Sequence, residues 1–528
     1  MNTIKRGLLT AVFAVGLTAS AAHATTLKYA FQGTLNQLDP YSLNETFTLS
    51  ALGNVYEGLT RRNENLEIEP SLAESWEVVE PTRWRFHLRH GVKFHNGNDF
   101  TAEDVAFSVM RLHGEGSDLK TRVGTDVKVE IVDDYTVDFV LPDANPILNY
   151  EWDTFYIMDK EWTEANDAVA ITSASDTTAN YAALHANGTG PFKVVSHEPG
   201  VKTVYEKNEA WWDESHSNLD RVEFTPIGSD ATRVAALLSG ELDMAYPIPV
   251  QDIKRVEQNA TTSVMTGPEL RTIFLGMDQM RDELLHSDVK GKNPFKDVRV
   301  RKAFYQAIDM EGIKRKIMRN LSEPAALMIS PFLFSRSAEF ERYPYDPEAA
   351  KALMADAGYG DGFSVGMDCP NDRYVNDEQI CQAVASMLAR IGVKIDLNAQ
   401  PKAKYFAKVL ASGGYDTSFY LLGWTPSSFD SWNIFSNIEG CRDEQGNGAP
   451  FNLGGYCNPK VDELSKQILK ENDQTKRDDL IAQVYTITHE DVSHIPLHQQ
   501  GLAWGVAQGI ELAQRADNQF LFRFVTKN

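Results

Sequence analysis

The sequence predicts an α/β protein of more than one domain, built from mixed sheets flanked by helices. Three observations lead there. At 528 residues the chain is too long for a single hydrophobic core, so two or three domains are expected. Strand-like and helix-like segments alternate through residues 193–246 and again through 271–422. The composition, 42% apolar and 24% charged, is that of a folded globular chain.

Taken in order, Thr26–Phe31 reads as a strand and 33–44 as a polar loop. Thr46 to Glu57 has helical spacing, with Gly58 as its stop, and 67–79 reads as a connector. Trp84, Phe86 and Leu88 alternate with Arg85, His87 and Arg89, the period-2 pattern of a strand with one buried face. Gly91 breaks that pattern, a turn follows at 95–98, and His87, His90 and His95 are expected to face solvent. Thr101 with Asp104 forms a variant capping box before a helix carrying Val105, Ala106, Val109 and Leu112. Two strands are expected around Asp133-Asp134, and loop with a helix over 161–187. A hairpin follows around Pro199-Gly200, then a strand from Arg221, a helix over 231–239 and a short strand at 243–246. Composition shifts after Glu269. Beyond it come a strand over 271–276, a helix over 297–308, and a helix capped by Asp346-Pro347 and stopped by Gly358. Strands at 363–367 and 393–397 flank a helix from Asp377, and a helix over 402–411 leads into an apolar strand ending at Leu422.

The stretch after that strand organises the functional reading. Residues 421–435 run from apolar strand into Trp424, Ser427, Ser428, Phe429, Asp430 and Trp432. Aromatic walls with a few short polar groups are the make-up of a small-molecule pocket. In α/β regions ligands sit beyond the carboxyl ends of strands, which is where this stretch falls. A surface loop with its aromatics tucked underneath is the competing reading.

Several segments together resemble the extracytoplasmic solute-binding proteins of ABC importers, in the large peptide- and nickel-binding family. They are Ala73-Glu-Ser-Trp76, the run Trp84 to Phe94, Phe100-Thr-Ala-Glu-Asp-Val105 and Gly188-Thr-Gly-Pro-Phe192. Leu238 to Asp243, Val298 to Ala303, Ala307-Ile-Asp309 and Gly423-Trp424 continue the series in family order. The resemblance implies a two-lobed periplasmic binding protein fold, with an extra domain inserted in the first lobe. It implies a first lobe from 25–69, 190–270 and 500–528, an inserted domain over 70–189 and a second lobe over 271–499. It also implies capture of a small solute, a short peptide foremost, and delivery to an inner-membrane permease, by a monomer without a cofactor. In peptide-binding relatives an aspartate shortly after Gly-Trp holds the peptide's amino terminus. Ser427 stands there in this chain, and a neutral hydroxyl cannot replace that charge-assisted bond. Asp430 is the nearby alternative, and oligosaccharides, opine-like compounds or a nickel complex are alternative cargoes. Arg373 resembles the arginine that takes a ligand's carboxylate, a bidentate task suited to guanidinium. Tyr374, Trp424 and Trp432 are the remaining candidate pocket residues.

Lys5 and Arg6 precede an apolar run closed by Ala22-His-Ala24, the pattern of a secretory leader cut before Thr25. No cysteine follows the cut, so a free periplasmic protein is expected. Export favours disulfides over metal for the four cysteines. Of three connectivities, Cys369–Cys381 with Cys441–Cys457 is the simplest. Each such loop would contribute about 2–3 kcal/mol. A net charge of −23 argues against nucleic acid, which needs a basic footprint. The histidines of His489-Glu-Asp-Val-Ser-His494 are five apart and miss the shared helical face of a zinc protease. No nucleophile elbow occurs. Paired carboxylates that meet only in the fold leave a periplasmic hydrolase as the alternative of a different class.

Overall fold

The computed structural model describes residues 24–120, 122–172, 179–443 and 448–528. The expected leader falls outside them apart from Ala24. Among the described residues, eleven strands join in one continuous sheet. We label ten of them β1 (Thr26–Phe31), β2 (Phe192–Glu198), β3 (Lys202–Lys207), β4 (Arg221–Pro226), β5 (Met244–Tyr246), β6 (Thr262–Met277), β7 (Phe363–Pro370), β8 (Val393–Gln400), β9 (Phe419–Trp424) and β10 (Ile495–Ala507). Their order is β8-β7-β9-β6-β10-β5-β1-β4-β3-β2, and Ser322–Pro324 pairs with β10. A separate antiparallel four-stranded sheet holds Ala73–Glu80, Arg83–Leu88, Thr136–Val140 and Lys128–Asp133, in that order.

The fold is two-lobed, and the lobes are bridged by β6 and β10. The early half of β6 pairs with the late half of β10, from Thr262 opposite Ala507 to Pro268 opposite Gly501. The register then shifts before resuming at Thr272 opposite Gln499. Such irregularities bend a strand and re-aim its side chains. Glu269 and Arg271 sit in that shift. The sequence expectation of a strand only over 271–276 falls short: the strand runs straight through the composition change, because its first half has a partner in β10.

In the second lobe, alternate side chains of one strand feed two cores. Ile273, Leu275, Phe419 and Leu421 pack on one face of the sheet, and Phe274, Tyr420 and Leu422 on the other. Burial on both faces explains why β9 reads as an unbroken apolar run. The first lobe is built around Leu27, Tyr29, Phe224, Trp504 and Phe522.

Three other local expectations are corrected. The first helix is Thr46–Leu52 and ends at Gly53, not Gly58. A Cβ at Gly53 would lie 2.6 Å from the Tyr156 hydroxyl, and the chain leaves the helix there, carrying Glu57 to the indole N–H groups of Trp211 and Trp212. The 67–79 connector is largely strand, since Ala73–Glu80 pairs with Arg83–Leu88. His95, expected to face solvent, has Nε2 2.9 Å from the Gly190 carbonyl, and burial lowers its pKa to about 4. The capping box holds: Asp104 accepts from the Thr101 amide at 2.9 Å. Both expected disulfides, Cys369–Cys381 and Cys441–Cys457, are present.

Candidate functional site at the carboxyl ends of two parallel strands

Strands β7 and β9 run parallel, with Met367 opposite Phe419, so the loops that leave them emerge on the same edge of the sheet. The first loop carries Arg373 and Tyr374; the second carries Trp424 to Trp432. Asp377 fixes the first loop, its Oδ2 accepting from the amides of Arg373 (3.0 Å) and Tyr374 (2.9 Å). The Cys369–Cys381 disulfide ties the end of β7 to the helix Asp377–Leu388 that follows. The Val375 amide donates to Gln500 Oε1 at 3.0 Å, anchoring the loop to β10.

The Tyr374 ring lies against Gly423, and its hydroxyl donates to the Gly423 carbonyl at 3.3 Å. A Cβ at position 423 would stand 2.8 Å from that ring, so glycine is what lets the two loops touch. Two guanidinium groups flank Tyr374: Arg373 at 5.1 Å and Arg271 at 5.9 Å from the ring centre. Arg271 is paired with Glu269 at 3.2 Å, and Glu269 also accepts from Gln500 at 2.6 Å. Arg373 is half-buried and has no ion pair among the described residues. The neighbouring Asp372, which could have neutralised it, instead caps the Lys402 amide at 2.6 Å.

In the second loop, Trp424 donates Nε1–H to Asn433 Oδ1 at 2.8 Å, and Asn433 donates to Ser427 Oγ at 3.0 Å. Phe451, inside the loop closed by Cys441–Cys457, packs on Trp424 with ring centres 4.7 Å apart. Trp432 is half-buried against the same core, and its amide donates to Asp430. Asp430 is buried, and Arg477 donates to both of its oxygens, at 2.6 and 2.7 Å. Its charge is therefore already matched, and it does not present a free carboxylate for an ammonium group in this conformation. Arg477 lies 47 residues further on, in the helix Gln474–Glu490, a distance over which no sequence pattern signals pairing.

The second loop reaches the short strand Thr60–Arg62. Phe429 holds a left-handed backbone conformation (φ 53°), which is costly for a bulky side chain. Its ring meets the Arg62 guanidinium at 4.2 Å. Arg62 in turn donates to the Tyr150 carbonyl at 2.6 Å. Arg271, Glu269, Gln500 and Phe451 were not singled out from sequence. The composition change at Glu269 was the one available signal for the first two. Among the described residues no group of three or more His, Cys, Asp or Glu side chains is placed to hold a metal ion, and no helix is long and apolar enough to cross a membrane.

Comparison with known proteins agrees with this architecture. The glutathione-binding protein GsiB of Escherichia coli O1:K1 is 25% identical over 501 residues, 93% of each chain. The dipeptide-binding protein of Escherichia coli K12 is 26% identical over 504 residues, 89% of each chain. Among solved structures, the periplasmic binding protein DppA of Helicobacter pylori in complex with the peptide STSA shares the fold at a TM-score of 0.79. Its identity is 22%, over 96% of this chain and 98% of that one. AgaA of A. tumefaciens R10, in complex with agropinic acid, does so at 0.76 and 22%, over 95% and 99%. The family model for bacterial extracellular solute-binding proteins, family 5, matches residues 67–446. That match covers more than half of a chain whose sheet, bridging strands and paired loops already describe two lobes around a site, and the chain belongs to that family.

Proposed function

We propose that this protein captures a carboxylate-bearing solute, a short peptide foremost, between its lobes and hands it to an inner-membrane ABC permease. The observation that carries the reading is the unpaired Arg373 guanidinium at the carboxyl ends of β7 and β9, beside the aromatic surfaces of Tyr374 and Trp424. Guanidinium offers a carboxylate two parallel hydrogen bonds, and a half-buried cation without a partner is poised for one. The peptide-binding relatives support a peptide cargo. Ligand that touches both lobes favours the closed state over the open one, so capture is a population shift and no bond is made or broken.

In this reading the first lobe comprises 25–69, 190–270 and 500–528, the inserted domain 70–189 and the second lobe 271–499. The leader is removed at Thr25, and the mature chain works as an unanchored periplasmic monomer. Ser427 together with the engaged Asp430 favours a second reading, in which the cargo carries a carboxylate but is not held by a free amino terminus, as in opine-like compounds. Native mass spectrometry of the protein purified from its own compartment identifies the cargo. A thermal-shift panel of dipeptides, oligosaccharides and opines ranks the classes, because a ligand bound only by the folded state raises Tm. A shift with uncharged oligosaccharides and none with any carboxylate would overturn both readings. Turnover of a peptide or glycoside during incubation would replace binding with hydrolysis.

A further inference from the structure

A second guanidinium stands beside the unpaired Arg373. Arg271 and Arg373 both approach the Tyr374 ring, at 5.9 and 5.1 Å from its centre, but Arg271 has a carboxylate partner. Three residues of β6, 269–271, face a single residue of β10, Gln500, where the register shifts. Glu269 and Arg271 are two apart on the strand and turn to the same side of it, so their side chains meet. Both oxygens of Glu269 are engaged: Oε1 accepts from Arg271 Nε–H at 3.2 Å and Oε2 from Gln500 at 2.6 Å. Gln500 also accepts from the Val375 amide at 3.0 Å, which ties this cluster to the loop that carries Arg373. Glu269 is the one ion-pair partner of Arg271 among the described residues.

The other acids near that ring are committed to backbone. Asp372 accepts from the Lys402 amide, and Asp377 from the amides of Arg373, Tyr374 and Glu378. Of the two guanidinium groups at the ring, Arg373 is thus the one without an ion pair among the described residues. The Glu269–Arg271 pair is buried, its side chains 2% and 10% exposed. A buried ion pair contributes little stability beyond apolar side chains of the same size, so its consequence here is the local charge. Without Glu269 two cations would stand at the Tyr374 ring unmatched; with it, one does.

We infer that Glu269 sets the specificity of the site: by holding Arg271 it selects solutes that bring one carboxylate to Tyr374 and rejects those that bring two. The inference rests on the role proposed for Arg373. A second carboxylate would gain a charge-assisted bond from an unmatched guanidinium, but beside the pair it meets a carboxylate already in place. Repulsion of the wrong ligand by a like charge is one of the two routes to selectivity, alongside better contacts to the right one. Glu269 acts through Arg271 and need not touch the solute.

The probes are alanyl-glutamine and alanyl-glutamate, which differ by one carboxylate and hardly in shape, titrated calorimetrically into the intact protein. The parent should bind the glutamine dipeptide at least about tenfold more tightly. In Glu269→Gln, which keeps the size of the side chain and an acceptor oxygen, that ratio should shrink about tenfold or invert. In the double variant Glu269→Gln with Arg271→Met the ratio should return toward the parent's, a recovery that a purely structural role for Glu269 would not produce. An unchanged ratio in Glu269→Gln, or a parent that prefers the glutamate dipeptide, overturns the inference. Absence of binding of both dipeptides, or equal binding of alanyl-glutamine and its carboxyl-terminal amide, would instead count against the functional reading itself. If near-ultraviolet circular dichroism shows that Glu269→Gln does not fold, Arg271→Gln tests the same balance from the other side. Its unmatched carboxylate should weaken the glutamate dipeptide about tenfold more than the glutamine one, and equal weakening overturns the inference.

Discussion

Two loops leave neighbouring parallel strands at the same edge of the sheet, and they dispose of their charged side chains in opposite ways. In the loop after β9, Asp430 is buried and both of its oxygens are held by Arg477. In the loop after β7, Arg373 remains half-buried with no ion pair, while the acid next to it caps a helix. Burying a charge without a partner costs several kcal/mol, so the deep position demands a fixed counter-charge and the rim position does not. In the reading proposed here, the loop after β9 is therefore structure that shapes the pocket, and the loop after β7 carries the charge offered to a ligand.

The largest effect that would break this contrast is expected at the buried pair. Arg477→Ala strands the Asp430 carboxylate and should cost about 3–5 kcal/mol of stability in urea unfolding. The double variant Asp430→Asn with Arg477→Met should recover much of that loss. If Arg477→Ala left stability intact but abolished ligand binding, the roles given to the two loops would be reversed.

Next in size is Arg373→Ala. Removing a charge-assisted contact of about 1.5–3 kcal/mol should weaken binding of a carboxylate ligand about 10- to 100-fold by calorimetry, with Tm of the free protein unchanged. Arg373→Lys should recover part of the affinity, since a point charge cannot form the paired bonds.

A smaller effect comes from Glu439, on the far side of the helix that leaves the pocket loop. Burial raises its pKa from 4.5 to about 7, and it forms no ion pair among the described residues. Ser493 donates to it at 2.9 Å, and Tyr305, Tyr485, Thr488 and His494 line the same cavity. Since the folded value exceeds the ordinary one, the contribution is fully present below 4.5 and is lost as pH rises through about 7. Unfolding curves of Glu439→Gln should be flatter than those of the parent across that window, by on the order of 1–3 kcal/mol. Parallel curves would mean that the carboxyl is not buried as described.

The order of strands and helices was legible in the sequence where one face is apolar and one polar, as in Trp84–Leu88, or where a cap announces a helix, as at Thr101 and Asp346. The stretch proposed as the site stands out in the sequence too, because an apolar strand of this length must end somewhere near solvent, and Trp424 with its short polar neighbours follows at once. The partners of the site were not. Asp430 reads as a free acid until the fold brings Arg477 beside it, and Glu269 and Arg271 gain meaning only from the register shift between β6 and β10. Pairings across tens of residues leave no periodic trace, and neither does the difference between a charge that holds structure and one that awaits a ligand.

The smallest expected change sharpens the contrast from the other side. Ser427→Asp gives the second loop the carboxylate it lacks and should raise affinity for peptides with a free amino terminus by up to about 1 kcal/mol, fading with salt. N-acetylated peptides in the same titration should gain nothing.

Calorimetric titration of one short peptide with a free and with an amidated carboxyl terminus reaches the central claim most directly. Binding of the free acid, with the amide at least about tenfold weaker in the parent and no weaker in Arg373→Ala, is the expected result. Equal affinity of acid and amide for the parent protein would contradict the role given to Arg373 and the solute class drawn from it.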